Sequence, residues 1–188
     1  MHNVCPYYFE HNKETSGKCC QGGNHMKLLF WSLIGGLAGT ALMDIAGIYS
    51  EKVKFTSGGE WGGTKALGRW VLSMFDGRFI HQNIVDSSPI KNEKSAGWIF
   101  HYLTGGSVAL IYPVLYLASQ VSVPEGHLIA SLLFGLATSF LPWFILFPAF
   151  GWGFFGVRAP SGIRPLIATI IFHTIYGLGL GIVLNITS

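Results

Sequence analysis

Four long apolar segments dominate the pattern of hydrophobic and polar positions along the chain. They cover residues 28–50, 96–119, 128–150 and 165–187. A helix needs roughly 20 apolar residues to cross the hydrocarbon core of a bilayer, and each segment reaches that length. We therefore predict an all-α, polytopic membrane protein with four transmembrane helices, in which residues 27–188 form a single membrane domain.

The long connection at residues 51–95 contains a further helical pattern. Its residues 64–75 carry apolar side chains on one helical face and mainly polar side chains opposite. The apolar positions are Leu67, Trp70, Val71 and Met74, and the polar positions are Lys65, Arg69 and Ser73. This pattern predicts a short amphipathic helix in the cytoplasmic membrane interface or, alternatively, an amphipathic helix packed on the bundle.

Three prolines interrupt the apolar segments, Pro113 in the second and Pro142 and Pro148 in the third. Proline frees a backbone carbonyl inside a helix, but neighbouring helices in a membrane bundle can satisfy that group. We therefore expect kinks in these spans and not breaks.

Lysine and arginine are distributed unequally along the chain. Nine of the twelve lie in the loops 51–95 and 151–164, and three precede the first span. Cytoplasmic loops carry an excess of these residues, so we predict that both loops are cytoplasmic and both termini lie outside. The net charge of +3 gives no indication of a nucleic-acid partner. Membrane lipids are the expected surroundings, and the limited interior of four helices leaves room for a homo-oligomer.

Residues 1–26 form a polar N-terminal tail that we expect to be flexible. All three cysteines lie in it, together with several histidines. The side chains that could bind a soft metal are Cys5, Cys19, Cys20, His11 and His25. They include no C-x-x-C pair and fit no zinc template, so a disordered tail without metal is the favoured interpretation.

Three ionisable residues lie inside the predicted spans: Asp44, His101 and His173. With a rise of about 1.5 Å per residue, all three lie roughly 8–12 Å inside the cytoplasmic edge. Each shares its helix face with glycine or threonine, and small residues let helices approach closely. Because intramembrane ionisable residues are costly and mark functional sites, we predict one polar site in the cytoplasmic half of the bundle. The supporting residues expected near it are Thr40, Tyr102, Tyr176, Arg69, Arg78 and His81.

The chemistry of this polar site is open at the level of sequence. One aspartate and two histidines could supply three ligands to a divalent metal, or they could relay a proton. Haem ligation by His101 and His173 is disfavoured, because nothing indicates a flat cavity between them. A buried pair of Asp44 with a histidine could equally fix helix register without chemistry. Arg69 or Arg78 could bind an anionic headgroup, although ordinary positively charged anchors are the favoured interpretation.

Common enzymatic signatures do not occur in the sequence, which lacks a Walker A loop, G-x-S-x-G and H-E-x-x-H. Enzymatic activity is therefore not favoured, and the leading hypothesis is a proton- or metal-coupled transporter-like protein. A non-catalytic membrane scaffold or accessory subunit is the alternative. A third hypothesis is a membrane enzyme that acts on a lipid or quinone headgroup, which requires a lateral cleft between spans.

A series of motifs along the chain resembles that of a known family. In order, the motifs are Gly39-Thr40, Met43-Asp44, Gly68-Arg69-Trp70, Gly77-Arg78-Phe79 with His81, Gly97-Trp98, His101-Tyr102, Pro142, Pro148, Gly151-x-Gly153, and His173 with Tyr176-Gly177-Leu178-Gly179-Leu180. Over about residues 35–186 the chain resembles the bacterial membrane proteins grouped as domain of unknown function 2938. The resemblance implies a small multi-pass inner-membrane protein and no particular reaction. The family pattern begins close to Met26, so the Cys/His tail departs from it.

Overall fold

The computed structural model describes residues 13–53, 55, 63–119 and 126–187, with side chains described from residue 25 onward. Regular structure within these ranges is helical throughout. The elements are α1 (Lys13–Lys52), α2 (Gly63–Met74), α3 (Glu93–Ala109), α4 (Ile111–Ser119), α5 (Leu128–Thr138), a π-helical segment (Pro142–Leu146), α6 (Phe147–Ala149), a 3₁₀ turn (Phe154–Gly156) and α7 (Arg164–Thr187).

Four helical segments are long and apolar enough to cross a membrane. They are His25–Lys52, Glu93–Ser119, Leu128–Ala149 and Arg164–Thr187, which we call the first to fourth spans. Each boundary lies within about three residues of the predicted one, because span length is set by bilayer thickness and is visible in composition. The structure confirms the all-α architecture with four membrane-spanning helices.

Helix α1 begins at Lys13, well before the predicted start of the first span. Residues 13–26, which the sequence assigns to a flexible tail, are therefore helical in the structure. The candidate metal ligands whose side chains lie outside the described residues are Cys5, His11, Cys19 and Cys20. Metal binding by the tail stays a prediction.

The spans pack in the order second, first, fourth, third. Helix α1 packs against both α3 and α7, and α5 packs against the other side of α7. Among the described residues, α3 and α5 make no extensive contact with each other. The bundle is therefore a curved row of helices with a gap between its two outer members.

Glycines allow the helices of this row to approach closely. An added Cβ at Gly36 would overlap Ala109 Cβ and the Gly105 carbonyl oxygen on the second span. An added Cβ at Gly135 on the third span would overlap the backbone of Gly177 on the fourth. The small-residue faces predicted from the sequence therefore form helix contacts, where they allow backbones to pack closely.

The second and third spans each consist of more than one helical segment. Leu110, which links α3 to α4, keeps helical backbone angles, and its N–H bonds the Ser107 carbonyl at 3.1 Å. The third span continues past α5 through the π-helical segment and α6. The helical assignment is thus interrupted at Leu110 in the second span and between Thr138 and Pro142 in the third, and the π-helical segment marks a local widening of the helix.

Helix α2 packs on the bundle, which is the second of the two interpretations of its amphipathic pattern. Its apolar residue Trp70 joins a buried cluster with Phe147, Phe150 and Trp152 near the end of the third span. Arg69 and Ser73, predicted on the polar face, are buried as well. Both faces of α2 therefore contact protein, and of the three predicted polar positions Lys65 is the one that is exposed.

The loop after α2 is fixed to the end of the third span. The His81 N–H donates to the Ala149 carbonyl at 2.8 Å, and the Ile84 N–H donates to the Phe150 carbonyl at 3.0 Å. We call this end of the bundle, formed by residues 75–92 and 150–163, the loop face. The predicted cytoplasmic location of the loop face stays a prediction.

Candidate functional site

Asp44 on the first span meets two residues of the second span. The Tyr102 hydroxyl donates to Asp44 Oδ2 at 2.7 Å, and His101 Nε2 lies 3.2 Å from Asp44 Oδ1. The side chains of Asp44 and His101 are 17% and 25% exposed, so both are mostly shielded. The acid is thus satisfied by two polar groups from one neighbouring helix turn, as an intramembrane carboxylate requires.

His173 on the fourth span forms a separate pair with the third span. Its Nδ1 lies 2.7 Å from Thr138 Oγ1, and Thr138 Oγ1 itself bonds the Gly135 carbonyl oxygen at 2.6 Å. With the single hydroxyl proton of Thr138 directed to Gly135, His173 donates from Nδ1 and keeps Nε2 as an acceptor. This pair joins the third and fourth spans as the Asp44–Tyr102 bond joins the first and second.

A cavity of about 260 Å³ lies between the second and third spans. Its walls are mainly apolar, with a small set of polar groups. The polar lining residues are Thr40, His101, Thr104, Thr138, His173 and Tyr176. The apolar lining residues include Leu67, Trp70, Phe100, Val108, Leu141, Pro142, Ile145 and Leu146. Mostly apolar walls with a few convergent polar groups are typical of small-molecule sites.

The cavity is covered at both ends of the bundle and opens sideways. Leu67 and Trp70 of α2 cover it at the loop face. Toward the opposite end, Tyr112 of the second span lies with its ring centroid 5.5 Å from that of Phe134 in the third. Between these covers, α3 and α5 do not pack together, and the lining residue Ile145 is half exposed. The opening therefore lies between the second and third spans, at the side of the bundle.

The structure brings the three predicted ionisable residues to one region without joining all three. Asp44 contacts His101, while His173 lines the same cavity as His101 but bonds Thr138. No three His, Cys, Asp or Glu side chains within the described ranges are grouped to hold a metal ion. Asp44, His101 and His173 thus do not form the three-ligand set considered from the sequence.

Two of the predicted supporting residues, Thr40 and Tyr176, also lie on the cavity wall. Thr40 Oγ1 donates to the Gly36 carbonyl at 2.8 Å, and the Tyr176 hydroxyl donates to the Gly105 carbonyl at 2.6 Å. The Tyr176 hydrogen bond joins the fourth span to α3. The Thr40 hydrogen bond stays within the first span, where the Thr40 side chain packs closely against Gly105 of α3. Both residues therefore support the wall that carries His101.

Arg69 lies away from the cavity and is fully occupied by structural contacts. Its Nε and Nη2 bond the two Glu93 carboxylate oxygens at 2.9 and 3.0 Å. Its Nη1 bonds the carbonyls of Ile84 and Ser87 at 2.9 and 2.6 Å. Arg69 therefore ties α2, the following loop and α3 together, and it serves neither as a surface anchor nor as a headgroup ligand.

Arg78 and His81 also lie on the loop face outside the cavity lining. Arg78 forms an exposed ion pair with Asp76 at 3.4 Å, and His81 Nδ1 lies 3.1 Å from Ser87 Oγ. Burial, followed by the charges of Arg78 and Arg69, lowers the pKa of His81. Both residues are therefore separate from the polar groups in the membrane.

A polar cluster at the end opposite the loop face is absent from the sequence predictions. The Tyr112 hydroxyl lies 3.0 Å from His127 Nδ1, and the His127 N–H donates to Asn185 Oδ1 at 2.9 Å. Burial lowers the pKa of His127. Asn185 could have indicated this cluster from the sequence, because an amide inside an apolar span commonly forms a hydrogen bond to a neighbouring helix.

Comparison with known proteins places this arrangement in one family. Residues 33–186, which reach all four spans, match the family described as "Protein of unknown function (DUF2938)". Comparisons with curated proteins and with solved structures give no match. The matched region includes Asp44, His101, Thr138 and His173, and it confirms the resemblance seen in the motifs. The chain therefore belongs to the DUF2938 family.

Proposed function

We propose that this protein is a transporter-like membrane protein that binds a small amphipathic molecule in the cavity between the second and third spans. The observation that carries the proposal is the mainly apolar cavity with His101 and His173 on its wall. Its volume of about 260 Å³ suits a small molecule or one end of a longer chain. The sideways opening gives such a molecule a route from the lipid.

Binding is proton-linked in this proposal. Histidine is the side chain that changes charge most readily near neutral pH, and two histidines face the cavity. Asp44 is absent from the cavity wall but contacts His101, so it acts through His101 as a positioning residue. A proton on His101 gains a carboxylate partner there, whereas the side chain bonded to His173 is the neutral Thr138 hydroxyl. His101 is therefore the proposed site of proton uptake.

Metal coupling receives less support than proton coupling. A stable catalytic or transport site for a divalent metal usually offers three protein ligands, and the described residues show no such group. A proton needs only one acceptor with a suitable partner, which the Asp44–His101 contact supplies.

The lateral opening also favours a second candidate, a membrane enzyme acting on a lipid or quinone headgroup. That hypothesis required a cleft between spans, and such a gap lies between α3 and α5. Its proposed cationic residue Arg69, however, is bound to Glu93 and to backbone carbonyls. The gap thus supports lateral access for the enzyme hypothesis, but one of its two proposed headgroup ligands, Arg69, is already bound within the protein.

The scaffold hypothesis differs from the transporter and enzyme hypotheses because it predicts no ligand binding and no proton uptake. Both polar pairs, Asp44–Tyr102 and His173–Thr138, join helices, so each would also stabilise the fold of a protein that binds nothing.

Calorimetric titration of the full chain in lipid nanodiscs with a short-chain quinone, in buffers of different ionisation heat, counts the protons exchanged on binding. We expect wild type to take up a proton on binding and Asp44→Asn to lose that uptake. The control Glu51→Gln removes an exposed acid from the same helix and should keep it. Failure of wild type to bind, or an unchanged proton count in Asp44→Asn, would contradict the proposal.

A further inference from the structure

A second cavity lies on the loop face, beside the end of the third span. Its volume is about 420 Å³, and its walls include Ile80, His81, Gly153, Phe154 and Arg158. It shares no lining residue with the cavity between the second and third spans. The function proposed above leaves this cavity unused.

Arg158 supplies an uncompensated positive charge to the cavity wall. No Asp or Glu lines the cavity, and Arg158 forms no ion pair with any residue in the described part of the chain. Its guanidinium carries five N–H donors in a planar fork that matches the oxygens of a phosphate. The wall therefore offers an anion the charge and the donor geometry that it needs.

The local backbone holds Arg158 in place. The Arg158 N–H donates to the Trp152 carbonyl at 2.8 Å. Gly153 has φ +74°, and an added Cβ there would lie 3.1 Å from Arg158 Nε and 3.3 Å from Nη2. Glycine thus permits both the left-handed turn and the close passage of the guanidinium over the loop.

The other arginines near the cavity, Arg69 and Arg78, are each paired with an acid. The pKa of His81 on the cavity wall is lowered by burial first, and then by the charges of Arg78 and Arg69. Arg69 is neutralised by Glu93 and Arg78 by Asp76, whereas Arg158 has no such partner. An anion in the cavity would therefore meet a favourable potential that is concentrated at Arg158.

The rim of the cavity is apolar and exposed. Ile80 is 76% exposed and Phe154 is 58% exposed, although both lie in loops outside the spans. Val157, next to Arg158, is also strongly exposed. Phe154 follows closely after Ala149, where the third span ends, so this rim lies at the edge of the membrane. Exposed apolar side chains in this position are typical of contact with lipid.

We propose that the cavity on the loop face binds the phosphate of an anionic phospholipid. Arg158 contacts the phosphate, and Ile80 and Phe154 contact the glycerol and upper acyl region of the same molecule. Charge alone would serve a free phosphate ion equally well. The apolar rim favours the lipid, because a soluble anion gains nothing from exposed Ile80 and Phe154.

The test is a binding titration of the full-length protein in detergent, followed by native mass spectrometry. The ligands are short-chain phosphatidylglycerol, short-chain phosphatidylcholine and inorganic phosphate. We expect phosphatidylglycerol to bind most tightly and Arg158→Gln to weaken it about tenfold, as loss of a charge-assisted contact predicts. Arg164→Gln removes the same charge from a residue that does not line the cavity and should change binding less than about twofold.

A further variant separates charge from geometry and guards against misfolding. Arg158→Lys keeps the charge without the planar fork and should bind phosphatidylglycerol with intermediate affinity. Thermal unfolding of each variant checks that the fold is kept. Equal losses in Arg158→Gln and Arg164→Gln, or wild-type affinity in Arg158→Gln, would overturn the site. Inorganic phosphate binding as tightly as phosphatidylglycerol would overturn the lipid as its occupant.

Discussion

Tyr102 and Asp44, which lie 58 positions apart in the sequence, share a hydrogen bond of 2.7 Å between the first and second spans. The bond satisfies one carboxylate oxygen where water is scarce, and the other oxygen is left to His101 Nε2 at 3.2 Å. His101 in turn lines the cavity between the second and third spans. One hydrogen bond between helices therefore fixes both the register of the two spans and the position of a histidine on the cavity wall.

Removal of the Tyr102 hydroxyl should destabilise the protein modestly. In Tyr102→Phe, we expect the free energy of unfolding to fall by about 1 kcal/mol, the usual scale for a hydrogen bond between membrane helices. Unfolding by sodium dodecyl sulphate in mixed micelles measures this change. Tyr49→Phe removes a hydroxyl from a strongly exposed tyrosine of the first span and serves as the control. Equal effects in the two variants would contradict a structural role for the Tyr102–Asp44 bond.

Glu93 should matter far more than the acid of the exposed ion pair. Glu93→Gln leaves the buried Arg69 guanidinium without a counter-charge, and breaking such a pair costs about 3–5 kcal/mol. Asp76→Asn opens the exposed pair with Arg78 and should cost at most about 1 kcal/mol. Denaturant unfolding monitored by circular dichroism compares the two. Similar losses of stability would show that the Arg69–Glu93 pair does not hold α2 on the bundle.

Gly68 should tolerate no side chain. A Cβ at this position would overlap the Glu93 carbonyl oxygen and the Gly97 backbone, which cannot move without separating α2 from α3. We expect Gly68→Ala to lose most folded protein on extraction from membranes. Gly47→Ala, at a helical position with open space around it, should be neutral or stabilising by up to about 1 kcal/mol. Recovery of monodisperse protein by size-exclusion chromatography reports the result, and normal recovery of Gly68→Ala would refute the close α2–α3 contact.

The spans and their small-residue faces were predictable because bilayer thickness and close helix packing leave periodic marks in the sequence. The partners of individual polar residues were harder to predict. The helical period of α2 placed Arg69 on a water-facing side, since nothing local indicates that Glu93, 24 positions later, receives it. Thr138 gave no signal either, because a threonine in a helix commonly bonds only its own backbone, as Thr138 does with Gly135.

A single polar site of Asp44, His101 and His173 was predicted from their common depth and their small-residue faces, and in the structure Asp44 contacts His101. Depth in the membrane predicted that His173 lies in the same layer as Asp44 and His101. It could not predict the hydrogen-bond partner of His173, because that partner depends on helix rotation and on the packing order of the spans. The structure puts His173 in contact with Thr138 of the third span, on the wall of the cavity that His101 also lines. The cavity itself had no sequence signal, since it arises where α3 and α5, on the two outer spans of the row, make no extensive contact.

His127 should make stability depend on pH. Burial lowers its folded-state pKa below the ordinary value of 6.5, so the unfolded chain binds more protons as the pH falls through that value. Its stabilising contribution is therefore complete above about pH 7 and decreases as the pH falls below about 6.5. Thermal unfolding midpoints between pH 5 and pH 8 should show a weaker acid decline in His127→Gln than in wild type. His81 contributes in the same direction, so only the difference between these two profiles reports on His127. Parallel profiles would contradict the assignment.

The most direct test of the central claim is whether a small amphipathic molecule occupies the cavity between the second and third spans. Native mass spectrometry of protein extracted in polymer nanodiscs reports the small molecules retained per chain. Val108→Trp fills the cavity, whereas Leu103→Trp adds the same bulk to an exposed position on the same helix. We expect one retained amphipathic molecule per chain in wild type and Leu103→Trp, and its loss in Val108→Trp. Equal retention in both variants, or no retained molecule in wild type, would contradict it.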